Sequence, residues 1–328
     1  MANMIATVKA PRNAGLLDHD AVRAFRLHGL IGKHDLRARS QRRKVNSQNE
    51  ETPLENPSEQ QGEVPVLYHN DMSVCAAKVR MAFAEKGVAF HGIHLDIRAG
   101  EAQHPDYVKL NPNQVVPTLL HWGRVIIESN VICEYIDDAW PDQGTGELRP
   151  QGALDRARMR LWMKRLDDGM HAMTGVVSTC VAFRHQHLAR KPEDVQAWLD
   201  KMVDPARRER MRSCVYQGLD SSYFVDGVRR FDRLMAEFDQ VLGQSRWLAG
   251  DQFSLADIAY APYLVRLHHL GLDDMIQSRP AVRDWSERVL DRPSFKVGIA
   301  GWFNSKYLAI FERERDQARK KVAEILST

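Results

Sequence analysis

The pattern of apolar and polar positions divides the chain into a mixed part and a helical part. Over Val64–Trp140, short β-branched and aromatic runs alternate with helical runs, which predicts the order β-α-β-α-β-β-α. Over residues 153–305, apolar side chains recur at three- and four-residue steps, as at Phe231, Leu234 and Phe238, with almost no strand pattern. The pattern therefore predicts an α/β domain followed by an all-α domain.

Helix-capping residues mark where the first helix begins and ends. The strand Val64–His69 is followed by Asp71 and Ser73, either of which can cap the N-terminus of a helix. Gly87 then has the position of a glycine just beyond the helix C-terminus. The first helix is therefore predicted to lie between Ser73 and Gly87.

Two further signals organise the rest of the chain. A hairpin is predicted from the strands Thr118–His121 and Val125–Ile127, and Ser129 is expected to be the N-cap of the helix that follows. Ser254 and Asp257 have the spacing of a capping box, ahead of a helix that is apolar nearly all round. Such a helix is expected in the middle of the helical domain.

The composition narrows the class of protein. The chain has 328 residues and a net charge of only +3, which gives no argument for a nucleic acid as the main partner. Its apolar runs fall short of the roughly 20 residues of a membrane span. The cysteines, Cys75, Cys133, Cys180 and Cys214, are scattered without metal-ligand spacing, which favours a reducing cytoplasm.

Residues 1–63 differ in composition from the rest. The basic run "RARSQRRKVNSQ" is followed by a polar, acidic stretch with two prolines. We interpret residues 1–63 as a disordered basic tail and an acidic linker. An arm that binds nucleic acid or a membrane surface is the alternative, and we expect no signal peptide because no apolar segment follows Met1.

Two separated motifs resemble the glutathione transferases. They are "NQVVPTLLHWGRVIIESNVICEYID" and "FSLADIAYAP", and the resemblance extends over residues 64–303. It implies a thioredoxin-like glutathione-binding domain over residues 64–142 and an all-helical substrate domain over residues 153–305. Residues 306–328 would form a charged C-terminal helix or tail. Within the family, "RVIIESNVICEYIDDAWP" resembles the bacterial group that includes the lignin β-etherases.

The resemblance also implies which residues bind glutathione. The backbone of Val116, before a cis Pro117, would pair with the cysteinyl part of the tripeptide. Ser129, at a helix N-terminus that attracts anions, would bind the γ-glutamyl carboxylate, and Glu128 would bind the ammonium group. Gln114 is a weaker candidate for the glycyl end.

Two residues compete for the sulfur chemistry. In the family, a Tyr or Ser hydroxyl stabilises the glutathione thiolate, and counting back from "KVR" assigns that position to Ser73. Some members carry a Cys instead, which forms a mixed disulfide and favours reduction. Cys75 shares a helix face with Val79 and Phe83, so we expect it to be a small buried hydrophobe and favour Ser73.

Other charged and titratable residues near this position are secondary candidates. Lys78 and Arg80 could raise the local potential, but residues of this kind are more often solvated. His171 lies on the long helix that would face the cleft.

The resemblance implies a cytoplasmic, homodimeric glutathione transferase that acts in detoxification. Glutathione would be its co-substrate and a small apolar electrophile its second substrate. One alternative is a β-aryl-ether cleaving enzyme or a Cys75-dependent thiol reductase on the same fold. The other is a non-catalytic glutathione-transferase-like binding protein.

Overall fold

The computed structural model describes the backbone of Ala6–Val8, and residues 64–202 and 204–328. The predicted tail and linker therefore lie outside the described residues, apart from Ala6–Val8. Those three residues form an antiparallel edge strand rather than disordered tail.

A five-stranded sheet forms the centre of the first domain. Its strands are β1 (Ala6–Val8), β2 (Val66–His69), β3 (Phe90–His94), β4 (Thr118–His121) and β5 (Arg124–Ile126). The spatial order is β1-β3-β2-β4-β5, in which β2 and β3 are parallel and the other pairs are antiparallel. Leu67 in the central strand lies opposite Gly92 and Leu119 and is fully buried. The predicted strands and hairpin are confirmed.

Three helices pack with this sheet: α1 (Val74–Lys86), α2 (Pro105–Leu110) and α3 (Ser129–Ala139). The predicted ends of α1 are confirmed: the Ser73 hydroxyl accepts a hydrogen bond from the Ala76 amide at 3.2 Å, and Gly87 has a φ of 63°. The prediction that Ser129 caps α3 is wrong, because the N-cap residue is Glu128 and Ser129 is the first helical residue.

The remainder is helical, as the periodicity predicts. The helices are α4 (Ala153–Arg165), α5 (His171–Ser178), α6 (Arg184–Leu188), α7 (Pro192–Asp200), α8 (Pro205–Gln217), α9 (Ser222–Leu242), α10 (Leu255–His269), α11 (Asp274–Gln277), α12 (Pro280–Leu290), α13 (Pro293–Gly298) and α14 (Ser305–Leu326). The apolar helix α10 is buried over most of its length, and its predicted capping box is present. None of the helices in the described part of the chain is long and apolar enough to cross a membrane.

Two π-helical segments interrupt the long helical pattern after residue 153. They are Leu166–Met170 and Thr179–Phe183, on either side of α5. Gly169 has a φ of 148° within the first segment, which only glycine adopts readily. π-Helical turns inside helices often accompany functional sites, and this one comes directly before His171.

Helix α1 packs between the sheet and the helical domain. A Cβ added to Gly298 in α13 would lie 2.6 Å from the Met81 Cα atom, so the two backbones are in close contact. The Arg80 Nε atom donates to the Gly298 carbonyl at 3.0 Å across the same contact. The N-terminus of α1 is thereby held where the two domains meet.

Candidate active site

Cys75 lies in the first turn of α1 and is half-buried. Its Sγ atom is 3.5 Å from Nδ1 of His171 in α5 and 3.9 Å from the hydroxyl of Tyr263 in α10. The side chain of Ser129, at the start of α3, is close enough to help lower the pKa of the thiol. The thiol is therefore contacted by polar groups from both domains.

These contacts favour the ionised form of Cys75. Burial raises the pKa of the thiol, but the Lys78 charge, the His171 hydrogen bond and charge and the Ser129 hydroxyl lower it to about 6. Cys133 provides the contrast, because burial raises the pKa of that thiol to about 12. Cys75 is thus a thiolate at neutral pH, and a thiolate is the nucleophilic form of cysteine.

His171 and Tyr263 form a hydrogen-bonded pair beside the thiol. The His171 Nδ1 atom lies 3.1 Å from the Tyr263 hydroxyl. The hydrogen bond with Cys75 raises the pKa of His171, and burial raises the pKa of Tyr263 well above its usual value. Tyr263 therefore stays protonated, while the exposed His171 is suited to carry a proton near neutral pH.

The expectation that Cys75 is a small buried hydrophobe describes only part of its surroundings, because the half-buried side chain packs against the core and also contacts polar groups. Val79 and Phe83 are buried as predicted, but Cys75 faces the polar groups described above. Residues four apart on a helix are offset by about 40°, so Cys75 is turned by about 80° from Phe83. That rotation places its side chain at the edge of the core, where it also contacts His171.

Ser73 has different neighbours. Its hydroxyl accepts from the Ala76 amide, which leaves the hydroxyl proton free to be donated. Ser73 lines a small cavity with Arg266, His269 and Phe303 of the helical domain. Ser73 and Cys75 therefore present their side chains to different surroundings.

Two buried arginines hold the loop that precedes Ser73. Arg80 donates to the carbonyl groups of Asn70 at 2.9 Å and Asp71 at 3.2 Å, and Arg266 donates to the Met72 carbonyl at 2.7 Å. Three successive carbonyls are thus bound by guanidinium groups. Sequence reasoning missed Arg266 because it lies in α10, far along the chain from this loop.

The expectation that Lys78 and Arg80 are solvated is wrong, because each is only 1% exposed. Both lie on α1, which is covered by the sheet on one side and by helices on the other. A helix packed on both sides leaves few solvated positions. The sequence of α1 did carry a signal for this burial. Its charged residues are interspersed among apolar ones and do not form a polar face that solvent would cover.

The residues implied for glutathione binding lie around the start of α3. The Val116–Pro117 peptide is cis. Gln114 and Glu128 both have positive φ, at 58° and 67°, which is uncommon for residues other than glycine. The Asn113 amide donates to the Glu128 carboxylate at 3.4 Å, which links the two loops. Such backbone outliers cluster at functional sites.

Comparison with known proteins identifies the family. Residues 63–138 match the family model "Glutathione S-transferase, N-terminal domain", and residues 188–288 match "Glutathione S-transferase, C-terminal domain". Protein LigF of Sphingobium sp. is 31% identical over 219 residues, which are 65% of this chain and 84% of LigF. The chain belongs to the glutathione S-transferase family. It is a glutathione transferase, and glutathione is its co-substrate.

Other relatives of this transferase show the range of the family. The tetrachloro-p-hydroquinone reductive dehalogenase of Sphingobium chlorophenolicum is 27% identical over 245 residues, which are 70% of this chain and 94% of that protein. The crystal structure of the β-etherase LigF matches with a TM-score of 0.65 at 25% identity, over 73% of this chain and 100% of LigF. The predicted thioredoxin-like domain followed by an all-helical domain is thereby confirmed.

Proposed function

We propose that this glutathione transferase uses the sulfur of Cys75 as a nucleophile, in addition to the sulfur of glutathione. The observation that carries the proposal is the pair of polar contacts on the Cys75 Sγ atom from His171 and Tyr263. A cysteine that only fills space needs no such contacts. A cysteine that attacks another sulfur must be ionised and accessible, and Cys75 is half-buried beside an exposed histidine.

The proposed reaction has three steps and reduces the substrate by two electrons. A glutathione thiolate first attacks an electrophilic carbon, and the leaving group departs with its electron pair. The Cys75 thiolate then attacks the glutathione sulfur of this conjugate. The carbon–sulfur bond breaks, the carbon takes the electron pair and a proton from His171, and a Cys75–glutathione disulfide forms. A second glutathione thiolate releases glutathione disulfide and restores Cys75.

The glutathione-binding part of the proposal rests on Val116, Pro117, Glu128, Ser129 and Gln114. The N-terminus of α3 and the Ser129 hydroxyl suit the γ-glutamyl carboxylate, and the Glu128 carboxylate suits the ammonium group. Ser129 is the first residue of α3, which places it at this helix N-terminus. The strained φ values of Gln114 and Glu128 support a functional role for both residues.

Replacing Ser129 with alanine is expected to weaken glutathione binding by about ten- to a hundredfold, because a hydrogen bond to a charged group is lost. Isothermal titration calorimetry with glutathione measures the change. Ser327→Ala, at the far end of α14, is the control. An unchanged dissociation constant for Ser129→Ala would contradict the assignment.

Ser73 remains a second candidate for the sulfur chemistry. Its hydroxyl accepts from a backbone amide and keeps its proton to donate to a glutathione thiolate. A transferase of that kind would stop after the first step and release a glutathione conjugate. Cleavage of an ether, the activity that the name β-etherase gives to LigF, would be one such reaction.

Trapping the enzyme with glutathione disulfide distinguishes the two candidates. Wild type and Ser73→Ala are expected to gain one glutathionyl group by intact mass, and Cys75→Ala is expected to gain none. Difference absorbance of bound glutathione reports its thiolate in the same three proteins. A thiolate signal lost only in Ser73→Ala, with no adduct in wild type, would establish the serine-type transferase.

We also propose an apolar electrophile as the second substrate, a homodimeric assembly and a cytoplasmic location. A small apolar electrophile fits a thiol placed at the junction of two domains. Val131 on α3 and Leu154 and Leu161 on α4 are more than half exposed, which supports a homodimer formed through these helices. Sedimentation of wild type against Leu161→Glu tests the dimer. Four free cysteines suit a cytoplasmic enzyme of detoxification.

A further inference from the structure

Lys78 is a buried lysine without a carboxylate partner. It lies one turn after Cys75 on α1 and is 1% exposed. Its Nζ atom donates to the Asn130 side-chain oxygen at 2.7 Å. Among residues 64–202 and 204–328, no carboxylate oxygen lies within 4.0 Å of this ammonium group. A buried charge is costly unless an opposite charge is near.

Lys86, in the same helix, is a buried lysine that forms an ion pair with a carboxylate. It lies eight residues after Lys78 and is also fully buried. Its Nζ atom is 2.6 Å from the Asp137 carboxylate and donates to the Gly146 carbonyl at 2.7 Å. Lys86 therefore has its counter-ion within the protein, whereas the partner of Lys78 in the described part of the chain is a neutral amide.

Asn130 is held so that its oxygen faces Lys78. Its side-chain nitrogen donates to the Met163 carbonyl at 2.9 Å and to the Asp167 carboxylate at 2.9 and 3.0 Å. Because the nitrogen is bound on that side, the oxygen must point to Lys78. Asn130 thus separates the Asp167 carboxylate from Lys78, and that carboxylate does not neutralise the ammonium charge directly.

The remaining candidate for the counter-ion is the thiol of Cys75. Residues three apart on a helix lie side by side, and the Lys78 charge acts on Cys75. The other groups that face this thiol are Ser129 on α3, His171 on α5 and Tyr263 on α10. His171 is exposed and its charge is screened by solvent, whereas the charge of Lys78 is buried and is screened much less.

We propose that Lys78, oriented by Asn130, is the buried counter-ion of the Cys75 thiolate. Lys78 is then a positioning residue: it touches no substrate and acts through the sulfur. The inference rests on the proposed function, in which Cys75 is a working sulfur. It also explains why α1 carries a lysine at a fully covered position where its side-chain partner is a neutral amide.

The pH dependence of Cys75 alkylation by iodoacetamide tests this inference in the full-length chain. Wild type is expected to show a midpoint at about pH 6. Lys78→Met and Lys78→Gln are both expected to raise the midpoint by about one to two pH units, because a charge at close range is lost. At pH 6, alkylation should slow by about five- to fiftyfold, because the thiolate fraction falls by that factor. Lys78→Arg should keep the midpoint of wild type.

These variants distinguish an electrostatic role of Lys78 from a structural one. Glutamine keeps a hydrogen-bond donor toward Asn130, so a structural role would be restored in Lys78→Gln and lost in Lys78→Met. Lys164→Met, which removes an exposed lysine paired with Asp168, is the matched control and should not move the midpoint. Cys75→Ala supplies the background, and thermal melting checks that each variant is folded.

The outcomes distinguish this inference from the proposed function. Unmoved midpoints in both neutral variants, with Cys75→Ala still unable to form the glutathione adduct, would overturn the role of Lys78 alone. Adduct formation in Cys75→Ala would instead overturn the proposed function. A raised midpoint in both neutral variants, with Lys78→Arg unchanged, supports the counter-ion.

Discussion

Replacing Cys75 with serine is expected to lower glutathione-dependent reduction of an electrophilic substrate by about a thousandfold or more. Losses of this size are usual when a nucleophile is removed. A serine hydroxyl is not ionised at neutral pH, whereas the Cys75 thiol, with a pKa of about 6, is mostly thiolate. The measurement is the rate of glutathione disulfide formation during turnover.

The first step should survive this substitution. Cys75→Ser is therefore expected to accumulate the glutathione conjugate while the reduced product disappears. Cys133→Ala is the matched control, because Cys133 is a buried thiol whose pKa is raised to about 12. Ser73→Ala is expected to cost less than about tenfold in reduction and about 1 kcal/mol in stability, through the lost cap. A full loss of reduction in Ser73→Ala would reverse the assignment.

The pH dependence of the rate of glutathione disulfide formation follows from the titration of Cys75 and His171. The rate should rise with pH through about 6, because the thiolate is the attacking form of Cys75. It should fall again at higher pH, where His171, whose pKa is raised by its hydrogen bond with Cys75, loses the proton that it donates. The two midpoints belong to the pair rather than to either residue.

Replacing Asp257 with alanine is expected to lower the free energy of unfolding by about 3–5 kcal/mol. The carboxylate is fully buried and accepts from the Leu248 amide at 3.1 Å and the Trp285 indole at 2.9 Å. It also accepts from the amide and the hydroxyl of Ser254, at 3.0 and 3.1 Å. Alanine would leave these donors buried without an acceptor.

Urea unfolding followed by circular dichroism measures this change. Asp257→Asn should cost less than alanine, because one side-chain oxygen can still accept from Leu248 and Trp285. Asp284→Ala removes an exposed carboxylate one residue before Trp285 and should stay within about 0.5 kcal/mol of wild type. A loss below about 1 kcal/mol in Asp257→Ala would show that water replaces the carboxylate.

Local sequence signals were sufficient for most of the elements after residue 64 and for the family. The capping residues Ser73 and Ser254 and the closing Gly87 were predicted correctly, because each acts through backbone groups only a few residues away. The exception was Ser129: the left-handed φ of Glu128 moved the start of the helix by one residue. A positive φ at a residue other than glycine is uncommon, and local propensity does not predict it.

The sequence by itself determined the two-domain fold, the strand order of the hairpin and the pair of candidates, Ser73 and Cys75. The tertiary structure alone decided their surroundings. His171 and Tyr263 lie 96 and 188 residues from Cys75 along the chain, and no local pattern joins them. In the proposed arrangement, the buried charge beside the thiol is that of Lys78, a neighbour in sequence. Its effect on the thiol depends on burial, because only packing of both domains against α1 removes the water that would screen it.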